Sequence, residues 1–264
     1  MTNTVEQLPH TSVRPGSLVI NWIGQAGFLF KTTSGQVLCV DPYLSNCMER
    51  DLGLESRRMW WPTFAFDRFK VDAVICTHDH IDHTDPDTIP LISAYNPNCV
   101  FYGPKTSCDH LQKMNIPTSR IFTMATGREY VVGNMVFKSV YARHTEDSIG
   151  LILQTAGITL YITGDTGLCD EILRMSEERP DVLITCINGL YGNLNAEEAL
   201  LLAKRIGVQT AIPMHYGLIP MNTVKPETFA DLCARNGLVC CLMATEKNYV
   251  LAKDELGKIS FSTQ

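Results

Sequence analysis

A chain of 264 residues with 45% hydrophobic and 19% charged side chains has enough apolar material for one sizeable α/β core, with two small domains as the alternative. Its formal charge of −6 argues against an extended phosphate-binding surface, so nucleic acid is not the favoured partner. A small anionic substrate stays open, because a metal site creates its own local positive field.

The first 16 residues are polar and read as a flexible tail ahead of a single domain over residues 17–264. "MTNTVEQLPHTSVRPG" has neither the basic nor the apolar region of a signal peptide, and no stretch is apolar for long enough to span a bilayer. The expectation is a cytoplasmic protein without a membrane partner. "SLVINWIGQAGFLFKTT" and "QVLCVDPYL" read as strands joined by a turn at Ser34-Gly35. Residues 45–70, which mix aromatic and charged side chains, read as an irregular insertion. "VDAVICT" is a short buried strand, "THDHIDH" follows it, and Asp85-Pro86 reads as an N-cap with proline in the first turn of a helix.

"CVFYGP" is then a strand and "KTSCDHLQKMN" a helix. "REYVVGNMVFKSVYA" gives paired strands, "IGLILQT" and "ITLYIT" another pair, and "LCDEILRMSEERP" a helix. The strand "DVLITCI", the helix "NAEEALLLAKRIG", the strand "TAIPM", the helix "KPETFADLCARNG" and the strand "LVCCLMA" complete the pattern. Strand pairs early in each half and strand–helix alternation later predict two similar halves, with sheets packed face to face under outer helices. The ten cysteines form no Cys-x-x-Cys pair and sit mostly in apolar runs, as reduced, buried thiols do; a zinc–thiolate site is the sharper but weaker reading.

Metal-type side chains recur at predicted strand ends. His78 follows "VDAVICT", His144 follows "MVFKSVYAR", Asp165 follows "ITLYIT" and His215 follows "TAIPM". Ligands in open α/β sheets gather at such carboxyl ends. Alternate residues of extended backbone project the same way, so His78 and His80 can converge on one ion. Where the chain turns towards a helix, Asp82 and His83 can reach a second, and Asp165 on its glycine-flanked bend is the natural bridge. Imidazole and carboxylate suit two divalent ions, zinc or manganese by preference and iron as a further option. Such a pair, about 3.5–4 Å apart, can share a hydroxide and polarise a carbonyl or phosphoryl oxygen. Taken alone, His144 and His215 are more often packed or surface residues, but the cluster raises the odds for both. His10 and His110 read as ordinary histidines, and Asp79 as a structural salt bridge rather than an orienting group.

His-x-His-x-Asp-His, here "HDHIDH", resembles the signature of the metallo-β-lactamase superfamily, and His144, Asp165 and His215 match its later motifs in order. The resemblance implies an αββα sandwich of two packed mixed sheets flanked by helices, with a dinuclear site in the groove. It places His78, His80 and His144 on one ion, Asp82, His83 and His215 on the other, and Asp165 between them. "WIGQAGF", "VLCVDPYL", "YGPKTSCD", "LYITGDTG", "LYGNLNAEEA" and "IPMHYG" are similar to one branch, the ascorbate-6-phosphate lactonase group.

These readings predict a metal-dependent hydrolase acting on a lactone or ester of a small sugar-phosphate-like metabolite, with Asp82 orienting the nucleophile or passing on its proton. Lys105, Arg57, Arg58, Tyr191 and Asn193 are the candidate phosphate donors, each also readable as a plain turn or solvated residue. The alternative is phosphodiester hydrolysis of a nucleotide or RNA. A metal-bound sensor without turnover and an iron-based oxidative role are further classes. "RRMWWPTFAF" reads as a lid or an oligomer contact, with contact preferred and a homo-oligomer therefore open.

Overall fold

Both faces of the first strands are apolar. In β1 (Ser17–Gly24), Leu18, Ile20 and Trp22 enter one buried cluster while Val19 and Ile23 enter another. The same division holds in β2 (Gly27–Lys31), β3 (Val37–Val40) and β4 (Ala73–Ile75), where Phe28, Phe30, Leu38 and Ile75 face one side and Leu29, Cys39 and Val74 the other. Strands buried on both faces belong in the interior of a layered α/β structure. The computed structural model of the chain, which describes residues 3–264, has that form.

After β5 (Val100–Gly103) and β6 (Ile121–Thr123) the chain builds a second sheet from β7 (Glu129–Val132), β8 (Met135–Tyr141), β9 (Ile149–Thr155), β10 (Ile158–Ile162), β11 (Val182–Cys186), β12 (Thr210–Met214) and β13 (Val239–Cys240). It then returns to the first sheet through β14 (Asn248–Lys253) and β15 (Ile259–Thr263). The orders are β15-β14-β1-β2-β3-β4-β5-β6 and β13-β12-β11-β10-β9-β8-β7. Each sheet is antiparallel through its first strands and parallel afterwards, the change falling at β3 and at β10. Phe28, Phe30 and Ile75 meet Phe137, Leu151 and Leu160 in one cluster that spans the sheets.

Two short helices, α1 (Thr4–Gln7) and α2 (Cys47–Leu52), lie outside the repeating pattern. α3 (Thr88–Tyr95) and α4 (Lys105–Lys113) cover the outer face of the first sheet, with Ile89, Ile92 and Leu111 against Val74 and Phe101. After α5 (Asp170–Leu173), α6 (Ala196–Ile206) and α7 (Pro226–Arg235) add Leu202, Ile206 and Phe229 to the cluster of the second sheet. The architecture is therefore the expected αββα sandwich.

Several local expectations change. The segment 17–33 is not one strand: left-handed backbone at Gly24 (φ 97°) and Gln25 (φ 51°) reverses the chain into the β1–β2 hairpin. The supposed flexible tail lies outside the described residues at positions 1 and 2. From residue 3 it is docked, because Val5 and Leu8 are buried and Lys31 Nζ donates to the carbonyls of Leu8 and Pro9. Residues 45–70, irregular apart from short helical turns, are anchored to the domain. Trp60 Nε1 donates to Gly217 O at 3.1 Å, and Arg58 is buried, donating to Ser45 O at 2.7 Å with its guanidinium over the Tyr43 ring. β6, β14 and β15 went unpredicted, and "LVCCLMA" contributes only Val239 and Cys240 as strand. Among the described residues no helix is long and apolar enough to cross a membrane.

The expected cap shifts: Asp87, not Asp85, is the N-cap residue of α3 and Pro86 precedes the helix, yet the Asp85 side chain holds the helix start. Fully buried, it accepts from Thr88 N at 3.0 Å, Leu44 N at 3.1 Å, Ser45 N at 3.0 Å and Ser45 Oγ at 2.8 Å, tying the loop after β3 to the helix. Asp85→Ala strands these donors in the interior and is expected to lower the unfolding free energy by at least about 3 kcal/mol. Urea titration checks it; a loss below about 1 kcal/mol would show the capping network to be dispensable.

Candidate metal centre

Four strand ends share one rim. His78 stands three residues beyond β4, His144 three beyond β8, Asp165 three beyond β10, and His215 directly after β12. The segment from His80 closes as a tight turn, with the amides of His83 and Thr84 both donating to His80 O at 2.9 and 2.7 Å. That turn swings Asp82 and His83 back beneath His78. Gly164 lets the β10 end approach closely: a Cβ there would stand 2.9 Å from Ile149 O.

The seven predicted side chains converge. His80 Nδ1 lies 3.0 Å from His78 Nε2 and 3.2 Å from His144 Nε2. On the other side, His215 Nε2 is 3.4 Å from Asp82 Oδ2, and His83 Nε2 is 3.9 Å from the same oxygen. Asp165 lies between: Oδ1 is 3.5 Å from His83 Nε2, and Oδ2 is 3.1 Å from His215 Nε2 and 3.8 Å from His144 Nε2. Three sets of ligand atoms lie mutually within 4.8 Å: His78 with His80 and His144, His78 with His83 and Asp165, and Asp82 with His83 and His215. Among the described residues no such set contains a cysteine, and all ten thiols are free.

The donor set fits divalent cations. His83 Nε2 and Asp165 Oδ1 are buried without a hydrogen-bond partner. Polar atoms are rarely left so, and a cation in the space between them satisfies both. Burial, then the charge of His83, pushes the His78 pKa well below its ordinary value, towards the neutral ligand form. Burial opposes charge on His83 and His215 too, but the carboxylates around them outweigh it, raising His83 well above the ordinary value and His215 to about 9. Asp82 and Asp165 are held below the usual carboxylate range, because the imidazoles of His83 and His215 overcome their burial. The carboxylates therefore favour positive charge in this cluster, and a divalent cation would supply it while leaving the imidazoles neutral as ligands.

An outer ring holds the seven in place, and sequence reasoning missed most of it. Asp41, in "VLCVDPYL", accepts from Thr77 N at 2.7 Å and Thr77 Oγ1 at 2.7 Å, and lies 2.8 Å from His83 Nδ1. This fixes the ring of His83 with Nε2 facing the centre. Gln25, at the hairpin turn, donates from Nε2 to Asp82 Oδ2 at 3.0 Å, and its carbonyl accepts from His215 N at 3.0 Å. Asp41 carried a readable signal, an acidic residue at a strand end like Asp165; Gln25 carried none beyond its glycine neighbours.

The phosphate-donor candidates are dispersed. Lys105 pairs with Asp109 and Arg57 with Glu49, both on the surface, while Arg58 is buried against carbonyls. Asn193 Nδ2 donates to Asp165 Oδ2 at 2.7 Å and so supports the centre instead. Only Tyr191 lines the pocket above it. Asp79 Oδ1 lies 2.8 Å from Nδ1 of His110, on α4 and outside the cluster; His10 is exposed and apart.

Residues 19–215 match the model of a family described as the beta-lactamase superfamily domain. The chain is similar to a metal-dependent hydrolase from Anaeromyxobacter sp. (strain K), 27% identical over an alignment of 231 residues that covers 80% of this chain and 79% of the relative. Among solved structures, a metallo hydrolase from Ignicoccus hospitalis superposes with a TM-score of 0.74 at 20% identity, over 90% of this chain and all of the other. An isothiocyanate hydrolase from Delia radicum gut bacteria gives 0.70 at 17% identity, over 93% of this chain and 100% of that one. These two share the fold.

Asp41→Asn removes the carboxylate that orients His83 while keeping the side-chain volume. Its expected effect is a 10- to 100-fold loss of zinc affinity in a competition titration, on the order of other outer-ring substitutions, with the circular dichroism of the fold retained. Unchanged affinity would show that His83 needs no such orientation.

Proposed function

This chain belongs to the metallo-β-lactamase superfamily, and on that footing we propose that it is a metal-dependent hydrolase of ester or lactone bonds. The reading is carried by Asp165, whose two oxygens stand within 3.1 to 3.8 Å of imidazoles from both sides of the cluster. In it, His78, His80 and His144 would hold one divalent ion and Asp82, His83 and His215 the other, with Asp165 available to both. The donor chemistry favours zinc or manganese, with iron admissible. Bound there, such ions supply Lewis acidity towards a substrate carbonyl and a water acidic enough to attack near neutral pH.

The protein's own groups do the rest. Gln25 holds Asp82 Oδ2 by one hydrogen bond, so the carboxylate keeps a fixed direction and can orient the attacking water by accepting its hydrogen. Asp41 locks the ring of His83 with Nε2 on the centre, while the Gln25 backbone carbonyl, accepting from His215 N, fixes the main chain that carries His215. Hydrolysis consumes one water: its oxygen joins the acyl carbon, the acyl C–O bond breaks, and the departing oxygen takes a proton. What favours this bond type is the similarity of "WIGQAGF" and "LYITGDTG" to the lactonase group. The phosphate half of the expected substrate has less support, because Lys105, Arg57 and Arg58 all have other partners. The phosphodiester alternative lacks cationic partners for the same reason. A small-molecule substrate handled by a protein without a nucleic-acid or membrane partner remains the reading, and a cytoplasmic setting is consistent with ten free cysteines.

His80→Ala opens the first triad at its most exposed member. Metal analysis is expected to show reduced occupancy, and hydrolysis of simple lactones to fall at least ~100-fold, while thermal unfolding stays cooperative because His80 is not part of the sandwich core. Full activity with metal absent would defeat the mechanism. In a parallel screen of metal-loaded protein, lactones are expected to turn over faster than bis(4-nitrophenyl) phosphate; the reverse order would make the phosphodiester reading the better one.

A further inference from the structure

The centre opens into a pocket of about 500 Å³, within the range of roughly 300–1,000 Å³ common for small-molecule sites. His80, Asp82, His144 and Asp165 form its floor. Above them the walls are built of Met48 and Leu52 from α2, Ile81, Tyr191 and Met221. Leu52, Tyr191 and Met221 are 56%, 63% and 41% exposed, so the domain's own packing does not cover them. No lysine or arginine lines the cavity, and Glu55 adds a negative charge to its wall. Tyr191 is held over the mouth by left-handed backbone (φ 55°), a conformation that a bulky residue adopts at a cost. Two neutral polar side chains join them: Ser56, whose Oγ donates to Met221 Sδ at 3.3 Å, and Asn222, which is buried with its Oδ1 accepting from Asn188 Nδ2 at 2.7 Å, leaving its own Nδ2 as the atom that can donate to a ligand oxygen.

We infer that the substrate of this site is an uncharged ester or lactone bearing an apolar chain, with the chain against Met48, Leu52, Tyr191 and Met221 and the ester carbonyl at the floor. This rests on the hydrolytic reading above and replaces its sugar-phosphate part. An anionic tail would leave water without a cationic partner and would face Glu55, whereas each methylene buried against these walls favours binding by up to about 4-fold. The carbon chain supplies affinity, and Asn222 supplies a donor without charge.

The test compares metal-loaded protein on γ-lactones from γ-valerolactone to γ-decalactone, and on one of matched length ending in a carboxylate. The affinity of a γ-lactam with a hexyl chain, measured by calorimetry, gives a readout that does not need turnover. Expected are a rise in kcat/KM of roughly 10- to 100-fold from the shortest to the longest lactone, a fall of at least ~10-fold for the carboxylate, and tighter lactam binding than for the unsubstituted ring. Met221→Asp, a surface change, is expected to shrink the long-to-short ratio, and Glu55→Lys to narrow the penalty on the carboxylate. Turnover without chain-length preference, or faster turnover of the carboxylate, overturns the inference and leaves hydrolysis standing. Chain-dependent lactam binding without turnover of any lactone supports the pocket and removes the hydrolytic reading. Neither turnover nor lactam binding overturns both.

Discussion

Three carboxylates, Asp41, Asp82 and Asp165, are removed from water at one edge of this sandwich, each less than one-tenth exposed. A buried anion is tolerated only when it is paired and hydrogen-bonded, and that demand organises the surroundings. Asp41 takes two donors from Thr77 and adjoins His83; Asp82 takes Gln25 and adjoins His215; Asp165 takes Asn193 and adjoins three imidazoles. Even so, His83 Nε2 and Asp165 Oδ1 remain unpaired. A cluster of acids and imidazoles that the protein alone does not fully satisfy is a cluster suited to cations.

Holding it together strains the backbone. Among the described residues eight non-glycine positions have positive φ, and Gln25, Asp41, Tyr191 and His215 are four of them. Each is at the centre or over its pocket. Such conformations persist where surrounding structure over-determines them, and here the hairpin, the β3 end and the β12 end are tied through the bonds of Gln25 and Asp41. The 45–70 segment contributes a wall rather than a ligand: Trp60 packs beneath Gly24, Arg58 staples the segment to the carbonyls after β3, and α2 then presents Met48 and Leu52 to the cavity. The fixed centre and the adaptable wall are thus separate pieces of chain, which is how a common scaffold can serve different substrates.

By itself the sequence determined the kinds of side chain available and the places where they emerge from strands. "THDHIDH" is local, so its turn and its spacing are legible in one dimension, and the apolar runs before His78, His144, Asp165 and His215 announce strands whose ends carry them. The two-sheet plan was legible for the same reason, since short, continuous apolar runs bounded by turns are a property of local segments. Tertiary structure alone decided what depends on partners distant in the chain. The reversal at Gly24-Gln25 follows from how β1 and β2 pair, not from an obvious break in a long apolar run. β14 and β15 have little apolar signal, being partly buried strands at the sheet's margin, where β14 is fixed by pairing with β1 and the edge strand β15 by pairing with β14. Asn193 supports Asp165 and Arg58 is buried because chain segments 28 and 13 residues away supply their acceptors. A hydrogen-bond partner brought by folding leaves no mark on the local pattern, and that is why the ring around the centre and the character of its pocket had to wait for three dimensions.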